Sequence, residues 1–470
     1  MTTVLAIDQG TSGTKAVVVH GDGSVLGVAE LAVRPNYAHG GIVEQNPHEL
    51  LASVLDAGRA AVAKSRAKID IVTLANQGET VLAWDPVTGA PLTNLLVWQD
   101  RRAEQICQRL AEHGEVFAGR TGLILDPYFS APKQAWIREN LTRDGVVTTS
   151  DSWIIHHLTG EFVTDCATAS RSLVMDLDSA EWDSELLGLF GLEGETLPKI
   201  LPSDQLAGVT GEFGGQIAVG GLILDQQAAL LAQNCLTPGD AKCTFGTGAF
   251  LLANSGGAAP RSSAGLAASI AWQVRGDTTY CFDGQVYTAA SAVRWLQQLG
   301  LITTAADLDS VAAKDSAGVF SVPALAGLAA PWWRADAKAA FTGMTLSTGP
   351  EHLVLAVLQG IAAQVAELGR LVALDAATPL RRLRVDGGLT QSRVLMQAVA
   401  DLMQVEIDVY PSQHATPFGA AALARMTMDQ SLSLEEAVIG WNPIISYQPN
   451  WSPDRAAEFN SSWRAIAETL

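Results

Sequence analysis

The chain has 470 residues, which at roughly 150 per domain is enough for two to four domains with a cleft between them. With 48% hydrophobic and 17% charged residues it can bury a sizeable core, which excludes a disordered protein. Its 30 basic against 49 acidic side chains, net −19, oppose a polyanionic backbone and exclude nucleic acid as a partner.

Along the chain, the apolar runs VLAI (4–7) and AVVV (16–19), joined by DQGTSGTK, predict a hairpin. Apolar positions spaced as on one helix face predict a helix over 48–66, followed by a buried strand at DIVTLAN (70–76). IAVGGLIL predicts a strand that ends directly before a helix starting near Asp225. The stretch AKCTFGTGAFLLAN then repeats the opening design, two apolar strands around a turn at Gly246 to Gly248. A long helix over 351–373, a strand at LRVDGG and a helix over 392–403 follow. Alternating strands and helices give an α/β fold class. The two hairpins indicate an internal duplication, with a boundary in NCLTPGD that divides the chain into 1–236 and 237–470.

The opening MTTVLAID has no basic leader, and the longest apolar stretch noted, Val322 to Trp333, holds two prolines and falls short of the ~20 residues of a bilayer span. A cytoplasmic chain without membrane contact is expected. Five cysteines without a CxxC pair read as reduced packing thiols.

Four small-residue loops recur where strands end: Gly10 to Thr14, Gly246 to Gly248, Gly387 to Gly388, and Gly220 to Gly221 leading to Asp225. Such turns let a backbone approach a ligand closely, and their N–H groups form nests for phosphate. Neither a P-loop nor a GxGxxG fingerprint is present. Each loop alone is an ordinary turn; four together point to a nucleotide. Phosphoryl transfer needs one carboxylate for Mg²⁺ or its water shell and another to accept the proton of an attacking hydroxyl. Asp8 and Asp225 fit those jobs, although Asp8 could be a turn residue and Asp225 a helix N-cap.

AIDQGTSGTKAVVV, NQGETVLAW, LLVWQDRR, DPYFSAPKQAWI, TDCATASRSL, DQQAALLAQ, TFGTGAFLLANSG and VDGGLTQSRVLMQAVADLM occur in an order that resembles the FGGY carbohydrate kinases, nearest to the glycerol kinases, over about residues 4–425. The resemblance implies two actin-like (ribonuclease-H-like) domains around a central cleft, closing over ATP and a polyol or sugar. It implies Asp225 as general base and Asp8 as organiser of Mg²⁺. Thr11, Ser12, Gly13 and Lys15 match the first phosphate loop, and Thr247 and Gly248 the second. On the adenine side Gly388 matches, whereas Ala290 stands in place of a family glycine, Arg294 of a glutamine and Ser392 of an asparagine, which alters adenine-pocket contacts without removing the phosphate loops.

In the substrate pocket, Glu79, Tyr128, Asp225 and Gln226 match the polar set, and Trp98 and Phe250 the apolar walls; for the last two, plain core packing is the alternative. One position departs from the pattern. Where the glycerol kinases carry arginine, NQGET has Gly78, so a two-donor guanidinium is absent and its volume is expected to be vacant. A tetritol, pentitol or pentulose then becomes an alternative to glycerol, unless Arg101, Arg102 or Arg171 fills the gap. An actin-like regulator that switches on ATP is the alternative outside catalysis. The sequence leaves open the preferred substrate and its reacting hydroxyl, whether the chain forms a homo-oligomer, and any effector.

Overall fold

The run Val4 to Ile7 is buried along its whole length, as a strand in the middle of a covered sheet requires. In the computed structural model, which describes residues 1–470, it belongs to β1 (Val4–Gln9), which pairs antiparallel with β2 (Gly13–Val19) so that Asp8 lies opposite Lys15. β3 (Val25–Ala32) flanks β2. Helix α1 (Pro47–Ser65) starts where its chemistry dictates: the Asn46 side chain accepts from the N–H groups of His48 and Glu49, and Pro47 opens the first turn. β4 (Ile71–Asn76) then lies parallel to β1. β5 (Leu206–Thr210), β6 (Ile217–Gly220) and β7 (Ile223–Leu224) complete a sheet in which β6 and β7 both run parallel to β4.

Helix α2 (Asp225–Ala232) leads to the second half, where the plan repeats. β8 (Ala241–Phe245) and β9 (Ala249–Gly256) form the hairpin. β10 (Ala267–Val274) and β11 (Asp277–Val286) extend its β9 side. After α3 (Ala290–Gln298) and α4 (Pro350–Asp375), β12 (Arg382–Asp386) lies parallel to β8. After α5 (Arg393–Met403), β13 (Glu406–Val409) lies parallel to β12, and α6 (Ala415–Met428) and β14 (Ser446–Tyr447) follow. The five-strand orders β3-β2-β1-β4-β6 and β11-β9-β8-β12-β13 are the same, with the same directions. This duplicated unit is the actin-like, ribonuclease-H-like architecture.

Helix α4, not the stretch before it, is the longest apolar segment. Its length and mean hydropathy of 1.4 would suit a bilayer, but 89% of that window is buried inside the protein, where it forms the core of the second half. All five cysteines are buried and unpaired.

The halves meet along α6, which packs on α2 and reaches across to β1 and β4. The approach is backbone to backbone. A Cβ at Gly419 would lie 1.8 Å from the carbonyl oxygen of Ala228, and one at Gly221, whose φ is +74°, would lie 2.4 Å from the Ala424 nitrogen. A second junction joins β10 and β11 to the first half through Ala268 N–H to the Gly122 carbonyl (2.9 Å) and Tyr280 O–H to the Leu177 carbonyl (3.2 Å). Gly419→Ala should therefore force α6 off α2 and lower the unfolding free energy by about 2–3 kcal/mol, measured by urea denaturation.

Candidate active site

β1 and β7 both run parallel to β4 and end at the same rim, so Asp8, near the end of β1, and Asp225, directly after β7, come together. Ligands of open α/β sheets bind beyond such strand ends. Asp225 is the first residue of α2 and not its cap, which is Leu224. Its carboxylate accepts from the N–H of Gln226, at 2.6 Å. Burial raises its pKa, opposed by Lys242. Burial, then repulsion from Asp225, pushes Asp8 to about 7, while Lys15 across the hairpin pulls the other way.

Because the folded pKa of Asp8 lies above its unfolded value, its stabilising contribution is full below about 3.8 and is lost as pH rises through about 7. Asp8→Asn abolishes that loss. In metal-free, nucleotide-free urea titrations its gain in stability should be about 2 kcal/mol larger at pH 8 than at pH 5.

The first loop is built into the substrate side. The Thr11 hydroxyl accepts from the indole N–H of Trp98 (2.9 Å), and its carbonyl accepts from the Gln45 amide (2.6 Å). Ser12 faces solvent, and Lys15 lies 3.7 Å from the Glu30 carboxylate. Gly13 is glycine because a Cβ there would meet the Leu31 carbonyl oxygen at 2.6 Å. In the second half the Thr247 carbonyl accepts from the N–H groups of Ala289 and Ser291, and the Gly246 carbonyl from Ala290, which seats this loop on the start of α3. Gly248 fits tightly under Val286, whereas a Cβ at Gly388 would meet nothing within 4 Å, leaving that turn open. Since β8 and β12 pair, the Gly246 and Gly388 loops are neighbours. Arg294 stands exposed on α3. Ser392 is buried and already committed, capping α5 and donating to Asp309 at 2.7 Å.

The pocket residues converge from an insertion between β4 and β5. The edge of the Trp98 ring packs against Tyr128 (5.5 Å between centroids) and Phe250 (6.2 Å), so Phe250 brings the second half into the substrate wall. The Gln226 side-chain oxygen accepts from Lys242 Nζ at 2.5 Å. Glu79 is buried and held in the left-handed backbone region (φ +57°), a strained conformation typical of functional positions.

A Cβ at Gly78 would stand 2.8 Å from Leu224 Cδ1, so that side chain occupies the space next to the Gly78 Cα. Glu79 does not lack a guanidinium: Arg171 Nε donates to it at 2.5 Å. Arg101 is instead spent on Asp126 and Glu104, and Arg102 on Asp100 and Glu44.

With this geometry the chain matches the models of the FGGY family of carbohydrate kinases, the N-terminal domain over residues 3–232 and the C-terminal domain over 241–428. The protein belongs to that family. It is 38% identical to a glycerol kinase of Aromatoleum aromaticum over 100% of this chain and 98% of that one. Among solved structures, a Plasmodium falciparum glycerol kinase with ADP superposes with a TM-score of 0.92 at 30% identity, covering 100% and 98% of the two chains. A ligand-bound xylulose kinase of Lactobacillus acidophilus, at 21% identity and TM-score 0.89 over 100% and 98%, shares the fold.

Lys133, Lys242 and Asp283 were not singled out as site residues from sequence, and Arg171 was named there only as one of three arginines that could fill the gap beside Glu79. A signal existed, since each is a charge within an apolar stretch that must be buried and therefore partnered. Lys133, fully buried, donates through Nζ to the carbonyls of Pro127 (2.8 Å), Tyr128 (2.5 Å) and Phe129 (2.6 Å), using all three donors to hold the loop that presents Tyr128. Burial lowers its pKa to about 7, opposed by Glu79 and Asp100. Lys133→Met would strip the ammonium donor from the carbonyls of Pro127, Tyr128 and Phe129 and should reduce the unfolding free energy by about 3 kcal/mol, read from chemical denaturation.

Proposed function

We propose that this FGGY kinase transfers the terminal phosphoryl group of ATP to a hydroxyl of glycerol, with Asp225 as general base. The observation that carries the reading is the Asp225 carboxylate: buried, raised in pKa, and standing with Asp8 at the rim where β1 and β7 end. A carboxylate with a raised pKa is matched to take a proton near neutrality. Asp225 takes the hydroxyl proton as the oxygen bonds to the terminal phosphorus and the bond to the ADP oxygen breaks.

The aromatic walls cover the carbon chain and exclude water, while Glu79 and Gln226 offer acceptors to its hydroxyls. Arg171 brings Glu79 the guanidinium that Gly78 does not carry, which weakens the reason to prefer a tetritol or pentulose. The Gly246 and Gly388 turns, free of side chains and adjacent, suit the nucleotide, with Thr11, Ser12, Lys15 and Thr247 toward its phosphates and Ala290, Arg294 and Ser392 toward its base. A division near residue 236, between α2 and β8, separates most of the polyol side from the nucleotide side.

Asp8 and Asp225 form a repelling carboxylate pair whose chemistry suits a divalent cation, and Asp8 would hold Mg²⁺ or its water shell. Bound there, Mg²⁺ would neutralise charge on the phosphates. Use of ATP and the reduced state of five buried thiols fit a cytoplasmic setting.

Asp225→Asn should retain ATP-induced thermal stabilisation while turnover of glycerol falls about 100-fold or more, followed by coupled ADP release. Turnover near that of wild type would reject the assignment.

A further inference from the structure

The carboxylate of Glu79 does not wait for a guanidinium at position 78, because one arrives from elsewhere in the fold. Arg171 follows the short helix Cys166–Ala169 in the first half and is 2% exposed. Its Nε donates to Glu79 and its Nη1 to Asp283, a residue of β11 in the second half. Its Cζ lies over the rings of Tyr128 and Phe129, 5.6 and 5.3 Å from their centroids, and those two rings meet edge to face.

A guanidinium carries five N–H donors in a rigid fork, and no protein acceptor meets the two on Nη2. Nor is Nη2 among the polar atoms sealed from solvent without a partner, so it keeps a solvent-reachable edge beside Glu79. A buried donor left unpaired costs stability, and a ligand oxygen placed there removes that cost.

We propose that Arg171 is a specificity-determining residue for the kinase reaction, its Nη2 donating to a hydroxyl oxygen of the polyol while the same hydroxyl donates to Glu79. The proposal rests on the polyol kinase reading above and adds to it the residue that selects the substrate. The fork is fixed before substrate arrives: Glu79 holds one side from the first half, Asp283 the other from the second, and the aromatic rings fix its plane. Leu224 occupies the place beside Gly78 from which a second guanidinium could approach. Selection therefore runs through residue 171 and not residue 78. A substrate lacking the hydroxyl leaves both Nη2 donors desolvated and unpaired.

The test compares kcat/KM for glycerol and propane-1,2-diol, which lacks one terminal hydroxyl, in wild type, Arg171→Lys and Asp283→Asn. ATP-induced thermal shift reports folding and nucleotide binding. Wild type should disfavour the diol by about 10- to 100-fold. In Arg171→Lys the KM for glycerol should rise by a similar factor with kcat changed less, and the two substrates should come within a few-fold of each other. In Asp283→Asn, which loosens the fork without removing it, discrimination should fall part of the way.

Wild type that uses both substrates equally overturns the proposal whether or not the variants fold. Arg171→Lys that folds and keeps full discrimination, or loses kcat at unchanged KM, also overturns it and leaves a structural ion pair. Wild type that phosphorylates no polyol overturns the kinase reading and this proposal with it.

Discussion

Arg171 holds one carboxylate from each half of the molecule, Glu79 and Asp283, in a place where none of the three groups is well hydrated. Desolvating such ions costs several kcal/mol each, and their attraction repays that cost only when the geometry is good. The arrangement therefore does little for stability and a great deal for definition. It orients Glu79 within the pocket, packs against Tyr128 and Phe129, and ties β11 to the floor of the first half. A loose arginine would leave two buried anions beside Asp225, and the wall of the pocket would have no fixed shape.

The reacting end is governed by the opposite condition, an excess of negative charge. Asp8 and Asp225 repel each other at the rim of one sheet, and the nearby cations are already engaged: Lys15 faces Glu30, and Lys242 donates to Gln226 and Thr244. The result is two neighbouring carboxylates with raised pKa values, a pair suited to a divalent ion. Lys242 tempers the pair without neutralising it, because burial disfavours its own charge while Asp386 on the neighbouring strand favours it. One buried lysine thus links Gln226 to the strand that leads into the Gly246 turn.

The connection between the two ends is mechanical as well as electrostatic. The Trp98 indole bonds to the Thr11 hydroxyl, so the aromatic cluster and the first glycine-rich loop are a single hydrogen-bonded unit. Lys133 fixes the loop on which Tyr128 stands by satisfying three successive carbonyls with one ammonium group. Rigid support of this kind keeps contacting groups within reach of a small substrate that offers few handles of its own.

The local sequence by itself determined the two hairpins, the helix following Asn46, the strand ends before Asp225 and Gly387, and from them the duplicated α/β plan. Those features depend on neighbouring residues: apolar runs, glycine turns, a side-chain cap and a proline at a first turn. Ordered motifs also located Asp8, Asp225, Trp98 and Tyr128. Tertiary structure decided what surrounds Gly78. That position seemed to lack both a guanidinium and the volume it fills, yet Leu224, almost 150 residues later, occupies the space, and Arg171, 92 residues beyond Glu79, supplies the charge. The reason is physical. A hairpin turn is settled by torsions within a few residues, whereas the charge and free volume of a pocket are sums over side chains that only the closed fold brings together.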